Sequence, residues 1–224
     1  MNIYNQNLLN LLDKKGISIT EFENIIYIPK IRIMDPGPDE LVRIAGYFDI
    51  SLDTLLKTET KSLDKVIGRN IKLLILDVDG TMTDGGMYFT ENGDQLKKYN
   101  TKDGMAIRNL TKKDFQVGII SHGHKTKVVQ DRADLLGIQN TYVGREDKTG
   151  ILKEWCKSLN IEMSQVAYIG DDINDTKIMK EVGLSACPSD AVKSIKKIAD
   201  VVLLRKGGHA CVREFIDEFI LLTE

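Results

Sequence analysis

Four polar clusters in this 224-residue chain stand beside short apolar runs. Asp77-Val-Asp-Gly-Thr81 follows the run at 72–76, Ser121 the run at 116–120, and Gly170-Asp-Asp-Ile-Asn-Asp175 the run at 166–169, while Lys148 opens the helical pattern after 141–143. Two carboxylates from one strand end and two from another, converging at one sheet edge, repel one another strongly unless a divalent cation sits between them. An oxygen-only donor set of this kind suits Mg²⁺, which takes one or two carboxylates and keeps positions open for water and phosphate oxygens. A carboxylate can also attack a phosphoester, with a second carboxyl in reach serving first as acid and then as base. Any one of these aspartates, taken singly, reads equally well as a turn or cap residue. The ordered set Asp77, Asp79, Ser121, Lys148, Asp171, Asp172 and Asp175, each beside a strand, carries the argument.

The elements that must position these groups follow from periodicity. From residue 71 onward, short apolar runs at 72–76, 116–120, 141–143, 166–169, 184–186 and 201–204 alternate with amphipathic helical patterns. Strands separated by helices imply right-handed crossovers and a parallel sheet covered on both faces, so residues 71–224 are expected to form a doubly wound α/β domain. Ligands of such sheets bind at the carboxyl ends of the strands, where the polar clusters stand. One segment departs from the alternation: Asn92-Gly93, between the strand-like runs 87–90 and 95–99, signals a β-hairpin flap. Residues 1–60 read as a small all-α domain. Leu8, Leu9, Leu11 and Leu12 recur at helical spacing up to Lys14-Lys15-Gly16, Ser18 and Glu21 make a capping box, and Asp35-Pro-Gly-Pro38 breaks the chain. A helix over 39–48 and another opened by Ser51 follow, with β-type alternation admitted only around 25–33; residues 61–70 form a polar linker.

Composition narrows the function classes. With 31 Lys+Arg against 33 Asp+Glu, the net charge of −2 argues against a chain whose main work is neutralising nucleic-acid phosphates or anionic lipid. The deficit lies in residues 1–66, with 8 basic and 10 acidic residues, so neutrality does not conceal a basic head. Cys156, Cys187 and Cys211 are odd in number and widely spaced, which indicates neither a disulfide framework nor a zinc knuckle and fits buried thiols in a reducing compartment. No apolar run approaches the roughly 20 residues that span a bilayer, and the first residues lack a basic region followed by an apolar one. A soluble cytoplasmic protein is expected.

The motifs Asp77-Val-Asp-Gly-Thr81, Ser121, Lys148 and Gly170-Asp-Asp-Ile-Asn-Asp175 resemble the four motifs of the haloacid-dehalogenase-like phosphohydrolases. The resemblance implies that Asp77 is the nucleophile that forms an aspartyl-phosphate and that Asp79 protonates the leaving alkoxide and then activates water. It further implies that Ser121 binds a phosphoryl oxygen and Lys148 offsets negative charge. Mg²⁺ would be held by the Asp77 side chain, the Asp79 main-chain carbonyl and Asp171, with Asp172 a further or an outer ligand and Asp175 orienting Lys148 or Asp172. Only 44 residues separate Asp77 from Ser121 and 23 separate Lys148 from Asp171, so neither gap has room for an inserted cap domain.

Asp84-Gly-Gly-Met-Tyr, Lys98-Tyr-Asn-Thr-Lys-Asp-Gly104, Asp131-Arg132 and Arg205-Lys-Gly-Gly-His resemble the capless, tetrameric octulosonate 8-phosphate phosphatases and their nonulosonate 9-phosphate relatives. That likeness implies a sugar-acid phosphate site lined by Asn100, Thr101, Lys102, Asp103, Gly104, Arg108, Arg132 and Lys148. It also implies a homotetramer built by the hairpin, with the glycine-rich C-terminal segment covering a neighbour's site. After the second motif this subfamily carries Gly and then Arg or Glu, whereas here the chain reads Ser121-His-Gly-His-Lys125, so the side chain expected to sort the two sugars is absent or replaced by His122 or His124. The front segment partly resembles a Cro/C1-type helix-turn-helix. The place of its DNA-reading helix is taken by the apolar, proline-interrupted stretch 25–34, which suits a protein partner better than base edges. Three functions are therefore carried forward: a Mg²⁺-dependent octulosonate 8-phosphate phosphatase, a nonulosonate 9-phosphate phosphatase, and a DNA-binding regulator whose α/β domain senses a sugar phosphate.

Overall fold

The computed structural model describes residues 2–50, 52–57, 70–93, 95–124 and 126–221. The chain divides into two compact units, Met1–Lys65 and Val66–Glu224. The expected linker at 61–70 lies outside the described residues except for its last position, as does the Ser51 cap.

The first unit consists, among the described residues, of five helices: α1 (Ile3–Lys15), α2 (Ile19–Ile26), α3 (Lys30–Met34), α4 (Pro38–Phe48) and α5 (Leu52–Lys57). Local chemistry sets their ends. Gly16 closes α1 in the left-handed conformation with φ 64°, and Ser18 with Glu21 forms a complete capping box at the start of α2. Phe22 packs against Tyr47 and Phe48 at ring-centroid distances of 5.1 and 5.3 Å, at the centre of a core that includes Leu8, Ile33, Ile44 and Leu55. The β-type alternation expected around 25–33 is corrected: those residues end α2, turn at Tyr27 with φ 52°, and enter α3. A lone isoleucine-rich strand would have no partner here, whereas a short helix buries Ile33 and leaves Ile31 outward.

The second unit holds a six-stranded sheet in the order β5-β4-β1-β6-β7-β8, with every recorded pairing parallel. The strands are β1 (Leu73–Leu76), β4 (Gln116–His122), β5 (Asn140–Gly144), β6 (Val166–Ile169), β7 (Leu184–Cys187) and β8 (Val201–Val202). The hairpin pairs β2 (Tyr88–Phe89) with β3 (Gln95–Leu96) outside this sheet. Helices α6 (Thr101–Thr111), α7 (Thr126–Leu136), α8 (Lys148–Leu159), α9 (Thr176–Glu181), α10 (Lys193–Lys196) and α11 (Cys211–Phe215) complete the alternation. β1, β6 and β7 are wholly buried, as strands covered on both faces must be. Chain order and parallel pairing together bring the carboxyl ends of β1, β4 and β6 side by side, since β1 lies between the other two. The three cysteines are free and buried. Among the described residues no helix is long and apolar enough to cross a membrane.

Candidate active site

The site begins where β1 ends. Asp77 donates its backbone N–H to the Ile169 carbonyl (3.0 Å), continuing the pairing with β6 by one residue, and the chain then enters a tight irregular turn, Val78–Met82. Gly80 takes φ 84° in that turn, and a Cβ there would stand 2.0 Å from the Asp171 carboxylate. Glycine is therefore required for the loop after β6 to lay Asp171 over the turn after β1. The opposite flank of the turn is equally close: a Cβ at Gly207 would stand 1.9 Å from the Gly80 carbonyl oxygen, and the Gly208 N–H reaches the Thr81 carbonyl (2.9 Å). Within the chain itself the glycine-rich C-terminal segment thus braces the turn that carries Asp79.

Lys148, the first residue of α8, is buried with its ammonium 2.7 Å from Asp77 Oδ1, 2.7 Å from Asp175 Oδ1 and 3.2 Å from the Tyr168 hydroxyl. Tyr168 in turn donates to Asp175 Oδ1 (2.6 Å), and the N–H groups of Asp171 and Asp172 donate to Asp175 Oδ2 (2.9 and 3.3 Å). Both oxygens of Asp175 are therefore committed to holding Lys148 and the loop after β6. Burial by itself would lower the Lys148 ammonium, but Asp77 and Asp175 outweigh it and hold it above its ordinary value. Burial pushes Asp77 up and Lys148 pulls it down. With the ammonium 2.7 Å away, the ionised carboxylate is the form we assign.

Asp77, Asp171 and Asp175 present oxygens that all lie within 4.8 Å of one another. Burial, and then repulsion from Asp77, Asp175 and Asp172, pushes the Asp171 carboxyl up to about 8. Oxygen donors only, mutual repulsion and a half-buried Asp171 make this a site that fits Mg²⁺. Asp175 spends both oxygens, whereas Asp77 and Asp171 each spend one, on Lys148 (2.7 Å) and on the Thr81 hydroxyl (3.4 Å), so these two are the side chains left to hold the ion. Asp172 is exposed and spends one oxygen on capping its own turn through the Ile173 N–H (2.7 Å), and it stands outside the close set.

A cavity of about 240 Å³ opens over this cluster, lined by Asp77, Asp79, Ser121, His122, Asp171 and Asp172. Of the residues expected to bind the sugar acid, Lys148 belongs to the cluster and His122 lines this cavity, whereas those on and around α6 make other contacts. Asn100 caps α6 through the Lys102 N–H (2.9 Å) and donates to the Gly208 carbonyl (3.0 Å). Buried Asp103 accepts from the Arg213 N–H (2.7 Å), tying α6 to α11. Arg132 lies over the Tyr99 ring at 5.2 Å and close against Gly104, while Thr101, Lys102 and Arg108 are exposed on α6. His124 accepts from Arg145 (2.5 Å), and His122 bridges the Glu146 carbonyl (3.2 Å) and the Asn174 amide (3.3 Å).

Two participants escape a reading of the sequence. Tyr168 sits within an apolar strand and counts there as core, although a buried tyrosine hydroxyl needs a partner, and that need was the available signal. Lys97, just past β3, places its ammonium 2.5 Å from Asp79 Oδ1 with its side chain only 5% exposed. A lysine pair in a hairpin carries no sign of which member turns inward until the pairing is known.

A parallel sheet with a nucleophile-type carboxylate after β1, a lysine at a helix start and acidic groups after β6 defines a haloacid dehalogenase-like hydrolase, and the haloacid dehalogenase-like hydrolase family matches residues 145–213. The 3-deoxy-D-manno-octulosonate 8-phosphate phosphatase of Yersinia pestis is 44% identical over 163 residues, 72% of this chain and 87% of that protein. Its counterpart in Escherichia coli K12 is 39% identical over 175 residues, 78% of this chain and 87% of the relative. The crystal structure of the Moraxella catarrhalis phosphatase in complex with a magnesium ion, a phosphate ion and a KDO molecule superposes with TM-score 0.65 at 30% identity, covering 74% of this chain and 99% of that one. The chain belongs to the family of 3-deoxy-D-manno-octulosonate 8-phosphate phosphatases, and it is a phosphoric monoester hydrolase.

Proposed function

We propose that this chain hydrolyses 3-deoxy-D-manno-octulosonate 8-phosphate, or a keto-deoxy sugar acid phosphate very like it, in two displacements at Asp77. The observation that carries the reading is the buried Lys148 ammonium held 2.7 Å from both Asp77 and Asp175, beside the half-buried carboxyl of Asp171. Asp77 attacks phosphorus and the bond to the sugar oxygen breaks, while Asp79 gives that oxygen a proton. Water then attacks the aspartyl-phosphate, returns a proton to Asp79, and leaves inorganic phosphate and free Asp77. Lys148 is fixed by Asp175 and Tyr168 and offsets the charge on Asp77 and the phosphoryl group throughout. Ser121 donates to a phosphoryl oxygen. The Asp77 and Asp171 side chains and the Asp79 carbonyl would hold Mg²⁺, which would supply electrostatic stabilisation of the transferring phosphoryl group. Among the three functions carried forward, the octulosonate ester is favoured because that is the activity named for the relatives. A sensor would need neither the acid–base carboxyl nor the buried lysine.

Assembly belongs to the same proposal. The site is open, and an open phosphoryl site loses the benefit of excluding water. Met87, Tyr88, Phe89 and Leu96 on the hairpin are each at least 55% exposed, which supports a homotetramer joined through the hairpins. In such an assembly Arg108, Lys102 and the Asn100 turn are available to a neighbouring site. For the N-terminal unit we infer a helix-turn-helix-derived module that binds protein rather than DNA. Its exposed Tyr27, Ile31 and Val42 and its net charge of −2 support that reading. The decisive experiment measures phosphate release from octulosonate 8-phosphate, nonulosonate 9-phosphates and neutral sugar phosphates with Mg²⁺. Preference for the octulosonate is expected, and equal turnover of neutral hexose phosphates would overturn the substrate assignment.

A further inference from the structure

A second cavity, of about 150 Å³, adjoins the phosphoryl pocket and shares Asp79, Ser121 and His122 with it. The hairpin forms one wall, with Met87 and Phe89 from its first arm and Gln95 and Lys97 from its second, and the loop after β4 forms the other with Gly123 and His124. The two compartments therefore meet at the carboxyl assigned to protonate the leaving oxygen. Were phosphorus to lie between Asp77 and Asp79, the departing alcohol would extend past Asp79 into the space beneath the hairpin.

Lys97 is the cation at that junction. Strand alternation turns Gln95, Lys97 and Tyr99 inward and Leu96 and Lys98 outward; the Lys98 side chain is 63% exposed and pairs with Asp84. The Lys97 side chain is 5% exposed, and its ammonium, with three N–H donors, has Asp79 as its one acceptor among the described residues. Two donors of a nearly buried ammonium thus remain for a ligand in the compartment. Met87 and Phe89, each more than half exposed, line the same compartment.

We propose that this compartment receives the leaving group and that Lys97 is a specificity-determining residue within it, selecting phosphate esters whose alcohol carries a carboxylate. The proposal rests on the phosphohydrolase reading of the site. Its test uses the full chain with Mg²⁺ and a pair of esters that differ only in the anionic group, 6-phosphogluconate and sorbitol 6-phosphate, with octulosonate 8-phosphate as the reference. Because Lys97 also touches Asp79, all rates are expected to fall in Lys97→Met, and the readout is the ratio of kcat/KM between the two paired esters. The wild type is expected to favour the carboxylate ester at least about tenfold. Lys97→Met should collapse that ratio to near one, and Lys97→Arg should keep most of it. If Lys97→Met does not fold, Lys97→Gln is read by the same ratio. A ratio unchanged by neutralisation while both rates fall together would overturn the proposal and leave Lys97 as a support for Asp79 alone. A wild type that hydrolyses both esters equally overturns it too, without touching the phosphatase reading, whereas a wild type that releases phosphate from no ester overturns both.

Discussion

The N-terminal unit buries Tyr4, Leu8, Phe22, Ile33, Ile44 and Leu55, and the polar groups among them have backbone partners: the Tyr4 hydroxyl donates to the Ile33 carbonyl (2.6 Å) and the Asn7 amide to the Leu55 carbonyl (2.9 Å). The α/β unit instead buries Asp77, Asp103, Lys148, Asp175 and Glu214, which are all the buried charged residues among those described. Burying an ionised group costs several kcal/mol unless it is paired. Within the α/β unit the buried carboxylates are of two kinds. Glu214 accepts from the N–H groups of Leu204 and Arg205 (2.7 and 2.8 Å), so its burial is offset by backbone and it braces the C-terminal segment. Asp77 and Asp175 share the Lys148 ammonium as their cation, and their oxygens lie within 4.8 Å of the half-buried Asp171 carboxyl. Buried charge matched by backbone amides holds a fold together; buried charge matched by other charges and left partly open is available to a ligand.

The largest expected effect tests that distinction at its centre. Asp77→Asn keeps the size and one acceptor but removes the nucleophile, so phosphate release should fall by at least about 10³-fold with the thermal transition retained. Turnover close to wild type in that variant would sink the mechanism. Chelation with EDTA should stop the wild-type reaction and added Mg²⁺ should restore it; a chelator-insensitive rate would show that the Asp77–Asp171 pair needs no cation.

Lys148→Met comes next, because it strikes activity and stability together. It leaves Asp77 and Asp175 buried without their cation, and removing one partner of a buried ion pair destabilises by about 3–5 kcal/mol. A lower urea midpoint is expected alongside a phosphatase rate reduced by roughly 10²–10³-fold. Loss of activity with the midpoint unchanged would mean that the ammonium serves chemistry alone and that Asp175 can be satisfied without it.

Much of this site is legible in the sequence because a parallel sheet leaves little choice. Asp77, Ser121, Lys148 and Asp171 each stand after an apolar run or at a helix start, and parallel strands put all such positions at one edge. What does not follow is strand order. That β1 lies between β4 and β6 depends on the distant pairings of Leu73 with Gln116 and with Val166, and so does the closeness of Asp171 to Gly80. Side-chain commitments are equally hidden. Asp103 looks like a ligand beside Gly104, yet its oxygen serves the Arg213 N–H in a helix that starts far along the chain. The segment 25–34 is ambiguous for a different reason: with isoleucine at 25, 26, 28, 31 and 33, this short stretch fits neither period cleanly, and packing around Ile33 decides for helix.

Phe22→Ala sharpens the contrast between the units from the other side. The ring is fully buried between Tyr47 and Phe48, and truncating a buried Phe costs about 3–5 kcal/mol, enough to unfold a domain of this size. The expected outcome is loss of the first unit's melting transition with phosphate release per site retained, since no residue of the catalytic cluster lies before position 66. A proportional loss of activity would break the comparison, because it would make the helical unit part of the catalytic assembly.

The smallest effect concerns Asp103, a buried carboxylate of the structural kind. Burial raises it to about 6 from an ordinary 3.8, against hydrogen bonds from the Arg213, Ala210 and Val212 N–H groups that lower it. Its folded value lies above its unfolded one, so between about pH 4 and pH 6 the folded chain holds this proton while the unfolded chain has released it. Stability from this group is thus fullest below about 4 and declines as pH rises through 6, by at most about 3 kcal/mol for a shift of this size. Asparagine can accept the same Arg213 hydrogen bond without ionising. In Asp103→Asn the urea midpoint should therefore vary less between pH 4 and 6 than in the wild type, and at pH 7 it should equal or exceed the wild-type value. A steeper pH dependence in the variant would mean that the ionised carboxylate is the form the α6–α11 junction is built around, and would place Asp103 with Asp77 among the charges the fold keeps for a ligand.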